Sequence, residues 1–571
     1  MSADLDRTTG GTPGVGRLVS PLRHLDVAAV DESARRETRN REVHLPPITA
    51  YRWWARRTEA INGAILDAFA LDRPGRLLVA DPFAGGGVIP LAARLRGHQV
   101  YAQDLNPWAA AGLAGMLSLP NGDRLRAAGE RLHGLVADLL SNAYATTYSD
   151  GSPAEIAHTF RVAEAACSHC GKRQRLFPHA LLTLLVRRER KRPEAFLACT
   201  RGHVFLGRED RVVSCPDCGV DVDPAAAYTE QRKVRCIYCG ELDTLEQRAA
   251  NAWTWVPVLV ERSLGRKREL ALISDAEATQ AEHDGWSPDW DLGAIPPGQE
   301  TRVLLRHGFR EWADLYPRRQ RAVLEALLAA TVSAADDERE AMALKLAIIG
   351  SAEMAGYLSR WDRFYLKSYE SMAGHRFNFT TFTCEPNVWG ASASGRGTVR
   401  RRIESLAKAA EWLERRVPVR SRIEDPLTGD AGQTPMDPDI YLRVVEGSSE
   451  RMLLPSGAVD LVLTDPPYHD DVQYSELSLP LRGWAQLHMD QLDAEALVNQ
   501  AVEHNDGEDD YRELLERIFA EAARTMRADG HLIFSYANRE PQAWVAVLGA
   551  LQGAGLRASG FCLLHSENET D

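Results

Sequence analysis

The chain has 571 residues, of which 44% are hydrophobic, and its formal net charge is −13 at pH 7. This length exceeds one ordinary hydrophobic core and predicts roughly two to four structural units. The acidic balance excludes a uniformly basic nucleic-acid coat but leaves room for local basic patches.

Residues 1–40 are predicted to be a flexible tail, since they begin with a polar, glycine-rich segment that lacks the apolar core of a signal peptide. No uninterrupted apolar run reaches membrane length. Seven of the nine cysteines lie between Cys167 and Cys239, and such crowding in a reducing compartment is typical of metal ligands rather than disulfides. We therefore expect a cytoplasmic protein without membrane contact.

Residues 41–120 contain the first α/β pattern. The stretch RLLVADPFAGGGVIPLAARLRGHQVYAQDLNP predicts a strand, a glycine turn, a helix and a second strand, which is the opening of a doubly wound parallel sheet. Asp81 ends the first strand, and a glycine turn lets a ligand approach the backbone. Asp104 ends the second strand, where a carboxylate can accept hydrogen bonds from ribose hydroxyls.

The pair of turn and acid predicts an adenosine-containing ligand, with a tight structural turn as the alternative. The turn glycines are Gly85, Gly86 and Gly87. The segment lacks the Lys-Ser/Thr of a P-loop and the G-x-G-x-x-G spacing of a dinucleotide dehydrogenase.

The middle of the chain interrupts this pattern. We predict a helical connector over residues 121–165, a zinc-ribbon insertion over 166–245, and a helical insertion over 246–425 that is the candidate for target recognition. Residues 426–571 return to α/β patterning and form the expected second half of the sheet domain.

The cysteine-rich segment predicts one or two structural zinc ions. Two C-x2-C pairs separated by seventeen residues predict a zinc ribbon whose four thiolates leave no open position on the metal. These ligands are Cys215, Cys218, Cys236 and Cys239. A second, weaker set consists of Cys167, Cys170, Cys199 and His203, with His169 as a substitute ligand. The alternative is that Cys199 is a buried small side chain and His203 a surface histidine.

Three segments combine basic and aromatic residues and are candidates for nucleic-acid contact: VRRERKRP (186–193), SRWDRFYLKSY (359–369) and GRGTVRRR (395–402). Arginines in a hairpin tip can bind phosphates, and aromatic side chains can stack on bases. The alternatives are a solvated hairpin and, for Trp361 and Phe364, packing in the core.

The stretch LVLTDPPY ends an apolar strand with Asp465, two prolines and Tyr468. The prolines fix the backbone, so the carboxylate, the Pro466 carbonyl and the tyrosine ring are held in one array. The two oxygens could accept the hydrogens of an exocyclic base amino group and direct its lone pair at an electrophilic methyl group, while the ring stacks on the base. A proline-terminated strand with a surface aspartate is the alternative.

The order DPFAGGG and then DPPY resembles the amino-group DNA methyltransferases, which use S-adenosylmethionine. YRWWARR, DPFAGGGVIPLAARLRGHQVYAQDLNP, TDPPYHDDVQYSELS and HLIFSYANREPQAWVAVLGAL are similar to large bacterial adenine-specific DNA methylases that carry an N-terminal domain of unknown function, some of them linked to phage defence. The resemblance covers residues 41–115 and 440–560. It implies a Rossmann-like class I methyltransferase domain split by a long insertion.

The resemblance also implies site residues. The cofactor-binding set is Asp81, Phe83, Gly85, Gly86, Gly87, Asp104 and Asn106, and the catalytic set is Asp465, Pro466, Pro467 and Tyr468. Tyr474 is a further candidate for stacking on the base. The expected product is N6-methyladenine in DNA, formed on a base turned out of the helix, and N4-methylcytosine stays open because the same acceptors suit it.

Two other functions remain open at this point. One is methylation of a base amino group in RNA, and the other is a non-catalytic nucleic-acid-binding component of a defence complex. DNA is the expected partner, and subunits of a defence or modification system are a further possible class of partner.

Overall fold

The computed structural model describes residues 20–39, 44–54, 56–230, 232–250, 253–372, 374–391, 396–417, 422–428, 432–437, 439–468, 472–489 and 508–564. Within these ranges, no helix combines the length and the apolar character needed to cross a membrane.

Helices α1 to α14 span Val27–Arg39, Glu59–Asp72, Val88–Leu95, Pro107–Leu117, Gly122–Tyr144, Leu245–Ala249, Asp275–Glu282, Arg302–Arg306, Arg318–Ala334, Glu338–Ala352, Val399–Arg416, Tyr474–Ala485, Glu508–Thr525 and Pro541–Gly553. Strands β1 to β22 span Leu78–Asp81, Gln99–Asp104, Ala145–Thr147, Pro153–Ala166, Arg173–Arg175, Leu181–Leu184, Glu194–Ala198, Val204–Arg208, Val213–Ser214, Asp221–Val222, Thr229–Glu230, Lys233–Arg235, Leu242–Thr244, Thr254–Leu264, Lys267–Leu272, Arg360–Asp362, Lys367–Tyr369, Phe382–Pro386, Arg422–Thr428, Ile440–Glu446, Val459–Thr464 and Met526–Phe534.

A parallel six-stranded sheet joins the two ends of the chain, in the order β19-β20-β2-β1-β21-β22. The predicted parallel sheet is thereby confirmed. Ala80 of β1 lies opposite Tyr101 of β2 on one side and Val462 of β21 on the other. The strand order therefore reverses at β1, and in open parallel sheets ligands bind outside the carboxyl ends of the strands at such a reversal.

A second sheet is antiparallel and lies in the predicted insertion, in the order β15-β14-β4-β18. It corrects the predicted helical connector, because α5 ends at Tyr144 and β4 runs from Pro153 to Ala166. β4 reads PAEIAHTFRVAEAA, whose alanines and glutamates favour a helix in isolation, but pairing with a strand on each side overrides that preference. The prediction of a helical insertion over residues 246–425 is wrong in part for the same reason, because strands β14, β15 and β18 lie within it.

The predicted N-terminal tail also needs correction. Helix α1 covers residues 27–39, and its Val30 and Ala34 side chains are buried. Residues 1–19 lie outside the described residues.

A buried ion network fastens the antiparallel sheet to helix α9. Glu385 of β18 accepts from Arg161 Nε at 2.6 Å and from Arg319 Nε at 2.9 Å, and all three side chains are at most 1% exposed. Burial raises the pKa of the Glu385 carboxyl, but the two guanidiniums outweigh this effect and keep its pKa below the ordinary value. A buried charge with such partners is strongly destabilised when one partner is removed.

The insertion also contacts the helix that follows the D-P-P-Y turn. The buried Glu476 carboxylate of α12 accepts backbone N–H groups from Gln299, Glu300 and Thr301 at 2.9, 2.7 and 2.9 Å. The insertion and the second half of the parallel sheet are therefore joined close to the candidate site.

Candidate active site and metal centres

An open cleft lies at the carboxyl edge of the parallel sheet where β1, β2 and β21 end, with about 940 Å³ of empty space when the adjoining open solvent is included. It brings together most of the residues predicted from the sequence: Asp81, Phe83, Gly85, Gly86, Gly87, Asp104, Asp465 and Pro467. Asn106, Pro466 and Tyr468 are not part of its lining. The buried Asn106 side chain instead caps α4 by accepting from the Trp108 N–H at 3.0 Å.

The glycine turn packs against a segment that the sequence analysis did not assign to the site. Gly85 has a φ of 39°, and a Cβ there would lie 2.6 Å from Trp53 Nε1. At Gly86 a Cβ would lie 2.5 Å from Arg56 Cγ, and the Tyr51 hydroxyl donates to the Gly85 carbonyl at 2.5 Å. The glycines thus accommodate the YRWWARR segment. The cluster of arginines and tryptophans in this segment is the sequence feature from which its contact with the glycine turn could have been predicted.

Asp104 is oriented by two backbone N–H groups. Its Oδ2 accepts from Gly85 at 2.8 Å and its Oδ1 from Asn106 at 2.8 Å. The contact with Gly85 also fixes the glycine turn relative to the end of β2.

Asp81 joins β1 to β21 at the floor of the cleft. Its Oδ1 accepts from the Thr464 hydroxyl at 2.7 Å and from the Phe83 N–H at 3.2 Å. The side chain is 1% exposed, and this burial raises the pKa of Asp81 to about 7, with smaller raising contributions from the neighbouring carboxylates Asp104 and Asp465. Its charge therefore changes near neutral pH.

Asp465 accepts three side-chain hydrogen bonds. Ser535 and Tyr468 donate their hydroxyls to Oδ1 at 2.7 and 2.8 Å, and Arg57 donates Nε to Oδ2 at 3.0 Å. The Arg57 guanidinium carbon also lies 4.4 Å from the centre of the Tyr468 ring, within the range of a cation–π contact. One planar cation therefore contacts both the carboxylate and the ring of the turn.

Aromatic side chains flank the turn. Tyr536 meets Tyr468 edge to face with ring centres 5.0 Å apart, and Tyr511 donates its hydroxyl to the Pro467 carbonyl at 2.9 Å. Tyr474 and Trp53 both line the cleft and stack on each other with ring centres 5.2 Å apart and planes 10° from parallel. Residues 469–471, between the turn and Tyr474, lie outside the described residues.

The metal-ligating residues form two groups whose pairing differs from the predicted one. The outer centre consists of Cys167, Cys170, Cys236 and Cys239, and the inner centre of Cys199, His203, Cys215 and Cys218. The predicted ribbon of two consecutive C-x2-C pairs is therefore wrong in its pairing, although all eight predicted ligands are used.

In sequence, the inner centre lies between the two halves of the outer centre, and we call this arrangement nested. Contacts outside the three C-x2-C pairs, here called knuckles, explain it. Gln174 of β5, which follows the first knuckle, donates to the Arg235 carbonyl at 3.2 Å and accepts from the Ile237 N–H at 3.1 Å, so it holds the last knuckle beside the first. The β7–β8 hairpin meanwhile carries Cys199 and His203 at its turn. Sequence spacing does not report which hairpins pack together.

The interatomic distances fit zinc. Sulfur atoms lie 3.8 Å apart between Cys167 and Cys239, and 3.7 Å between Cys170 and Cys236. In the inner centre, His203 Nδ1 is 3.5 Å from the Cys199 sulfur. Tetrahedral zinc with Zn–S bonds of about 2.3 Å separates its sulfur ligands by about 3.8 Å, whereas a disulfide requires about 2.05 Å. These two clusters could therefore hold zinc, and their cysteines are not in disulfides.

His169 belongs to neither centre. Its Nε2 lies 3.3 Å from the buried carboxylate of Asp243. The same carboxylate accepts from the Ser168 N–H at 3.1 Å and pairs with Arg248 Nε at 2.6 Å. The first knuckle is thus held by charged side chains as well as by its cysteines.

Comparison of the chain with protein-family models gives no match, and no curated protein or solved structure matches it. The function must therefore be argued from the cleft and from the motifs that line it.

The nested pairing predicts which cysteine variants lose which metal. We expect the protein to bind two zinc ions per chain. Changing Cys218 and Cys236 together to serine removes a ligand from each centre and should release both ions, whereas Cys170→Ser with Cys236→Ser should release one. Elemental analysis of the purified variants gives the counts.

Cys562→Ser is the control, because Cys562 belongs to neither centre and should leave the zinc content unchanged. Loss of a single ion from the Cys218/Cys236 double variant would contradict the nested pairing.

Proposed function

We propose that the protein is an S-adenosylmethionine-dependent DNA amino-methyltransferase that forms N6-methyladenine. One observation carries the proposal: the glycine turn after β1 and the D-P-P-Y aspartate after β21 line a single cleft at the reversal of a parallel sheet. This is where such sheets bind ligands, and the resemblance assigns these two motifs to cofactor and target base. The choice of adenine rests on the resemblance alone.

The residues around the cleft fit the cofactor. Asp104 lines the cleft at the end of β2, where a carboxylate can accept from ribose hydroxyls, and Phe83, Leu105 and Ile518 supply apolar surface in the same lining. The buried carboxyl of Asp81 can become an anion near a cationic ligand group. When bound, the cofactor supplies the electrophilic methyl group.

The residues of the turn fit an exocyclic amino group. The hydroxyls of Ser535 and Tyr468 hold Asp465 Oδ1, which sets the carboxylate orientation. Oδ2 would then accept one amino hydrogen and the Pro466 carbonyl the other. Asp465 Oδ2 would also take up the proton that the amino nitrogen loses. Such fixed acceptors stabilise charge that develops during the reaction.

Arg57 makes the same two contacts that the base would make. It donates an N–H to Asp465 Oδ2 and places its planar guanidinium against the Tyr468 ring. The base and Arg57 would compete for one position, so Arg57 has to move before the amino group reaches Asp465.

Asp465→Asn tests the reaction itself. The amide would present a donor where an acceptor is required, so we expect the turnover number to fall by about 10² to 10³-fold with cofactor affinity nearly unchanged. Asp509→Asn makes the same charge change on the exposed surface of α13 and is the control. Calorimetry measures cofactor binding, and labelled cofactor with duplex DNA, single-stranded DNA and RNA measures methyl transfer.

Nucleoside mass spectrometry separates the products. N4-methylcytosine would change the base assignment and keep the mechanism, whereas methylation confined to RNA would overturn the choice of DNA. Unchanged turnover in Asp465→Asn would remove Asp465 from the mechanism.

Arg57→Ala tests the competition. Removing the side chain should lower the KM for DNA about tenfold, which corresponds to about 1.4 kcal/mol, while kcat stays within a small factor. Arg36→Ala, on the exposed face of α1, is the control. A higher KM in Arg57→Ala would mean that Arg57 binds DNA rather than competing with the base.

Asp81 makes cofactor binding depend on pH. Since the pKa of Asp81 is raised to about 7, its carboxyl is mostly protonated at pH 6 and mostly ionised at pH 8, and only the ionised form attracts a cation. We expect the affinity for S-adenosylmethionine to rise about three- to tenfold across that interval. Calorimetry at several pH values should show this rise in the wild type and in Asp509→Asn, and a flat profile in Asp81→Asn. The same rise in Asp81→Asn would contradict the assignment.

A further inference from the structure

A second cleft lies beside the first, on the insertion. It is built from the segment before Tyr51, from β4, β15 and β17, from the β6–β7 loop and from α11. The three basic and aromatic segments singled out in the sequence meet here, because residue 187, residues 366–368 and residues 396, 397, 401 and 402 contribute to its lining.

The lining is strongly cationic. It contains one acidic side chain, Glu370, and six basic ones: Arg187, Arg268, Lys367, Arg396, Arg401 and Arg402. This concentration of positive charge occurs in a chain whose net charge is −13. A cleft lined by one sign of charge attracts ligands of the opposite sign.

Half of these cations are already balanced within the protein. Arg268 pairs with Glu261, Arg396 with Glu370 at 3.0 Å, and Arg402 with Glu353 at 3.7 Å. The other half consists of Arg187, Lys367 and Arg401, which have no ion pair with any carboxylate in the described part of the chain. All three are exposed. Lys367 lies 5.1 Å from the Tyr369 ring and interacts with the Asp362 carboxylate, which leaves Arg187 and Arg401 as the cations most available to an anionic ligand.

Two buried polar atoms lie on residues that line the same cleft. His158 Nε2 and Ser368 Oγ have no hydrogen-bond partner among the described residues, although their side chains belong to residues only 4% and 2% exposed. The other ring nitrogen of His158 is held 2.5 Å from Glu261 Oε2. Buried polar groups are rarely left without partners, so these atoms point to a ligand with hydrogen-bonding oxygens.

Trp361 and Phe364, the aromatic residues predicted to stack on bases or pack in the core, are packed against other side chains. Trp361 donates its indole N–H to Thr183 at 2.9 Å and meets Phe160 edge to face, and Phe364 lies under Arg188 at 4.3 Å. The prediction that they stack on bases is therefore not supported, and the cleft offers cations and polar atoms instead. That chemistry suits phosphates.

We infer that this cleft binds the phosphate backbone of the DNA whose base enters the first cleft, an inference that rests on the proposed function. The cations come from separate elements of the fold and are distributed around the lining, which suits a chain of phosphates better than one small anion. The two clefts are also close together. Ala50 lines the second cleft and Trp53 the first, and three residues span at most about 11 Å, or about three base steps of a duplex.

The test compares two double variants with equal charge change. Arg187→Gln with Arg401→Gln removes two unbalanced cations of the cleft, and Arg339→Gln with Arg415→Gln removes two exposed arginines outside both clefts. Fluorescence anisotropy of a labelled duplex of about 30 base pairs is measured with the full chain between about 50 and 200 mM salt. Zinc content and cofactor calorimetry check that each variant is folded.

The cleft variant should bind DNA at least about tenfold more weakly, and the slope of log affinity against log salt should become shallower by about 1.8, since each lost phosphate contact accounts for about 0.9. The control variant should keep the wild-type slope and affinity. Equal behaviour of the two variants would overturn the inference, and so would a slope change seen with RNA and not with DNA.

The two proposals can fail separately. If the wild type binds no S-adenosylmethionine but its DNA binding still depends on Arg187 and Arg401, the methyltransferase proposal fails and the phosphate cleft stands. If methyl transfer occurs and the affinity for DNA does not change when Arg187 and Arg401 are replaced, only the cleft inference fails.

Discussion

The pairing of β1 with β21 is the contact on which the candidate site depends. The two strands begin at Leu78 and Val459, pair in parallel, and place Asp81 and Asp465 at one edge of the sheet. The hydrogen bond from Thr464 to Asp81 fastens the ends of both strands. A long insertion between them costs little, because the entropy of closing a loop grows only with the logarithm of its length.

The insertion has its own sources of order and shares a continuous hydrophobic core with the sheet domain, to which several charged contacts are added. Two cysteine clusters and the buried Glu385 network organise its interior. Glu476 receives three backbone amides from it. Glu353 links the second cleft to the YRWWARR segment, since it lies 3.7 Å from Arg402 of that cleft and 3.2 Å from Arg52 of the segment. A ligand that draws Arg402 away would therefore change the environment of the segment that covers the glycine turn.

Local patterns predicted the parts of this protein that local chemistry determines. The strand-turn-strand around Asp81, the turn at Asp465 and all eight cysteine and histidine ligands were found in this way. The pairing of the knuckles and the strand character of β4 were not, because both depend on which elements pack together. Arg57 was missed for the same reason: nothing near it in the sequence indicates a contact with Asp465, more than 400 residues away.

The split sheet has a consequence for synthesis on the ribosome. Strands β1 and β2 emerge more than 330 residues before β20, which at about 5 to 20 residues per second means a delay of roughly 20 to 70 s. During that time both outer edges of the nascent β1–β2 pair lack their partners, and unpaired edges invite association with other chains. The insertion can acquire metal and fold within this interval. Chaperone demand and cellular zinc supply would then act on the same stage of the protein's biogenesis.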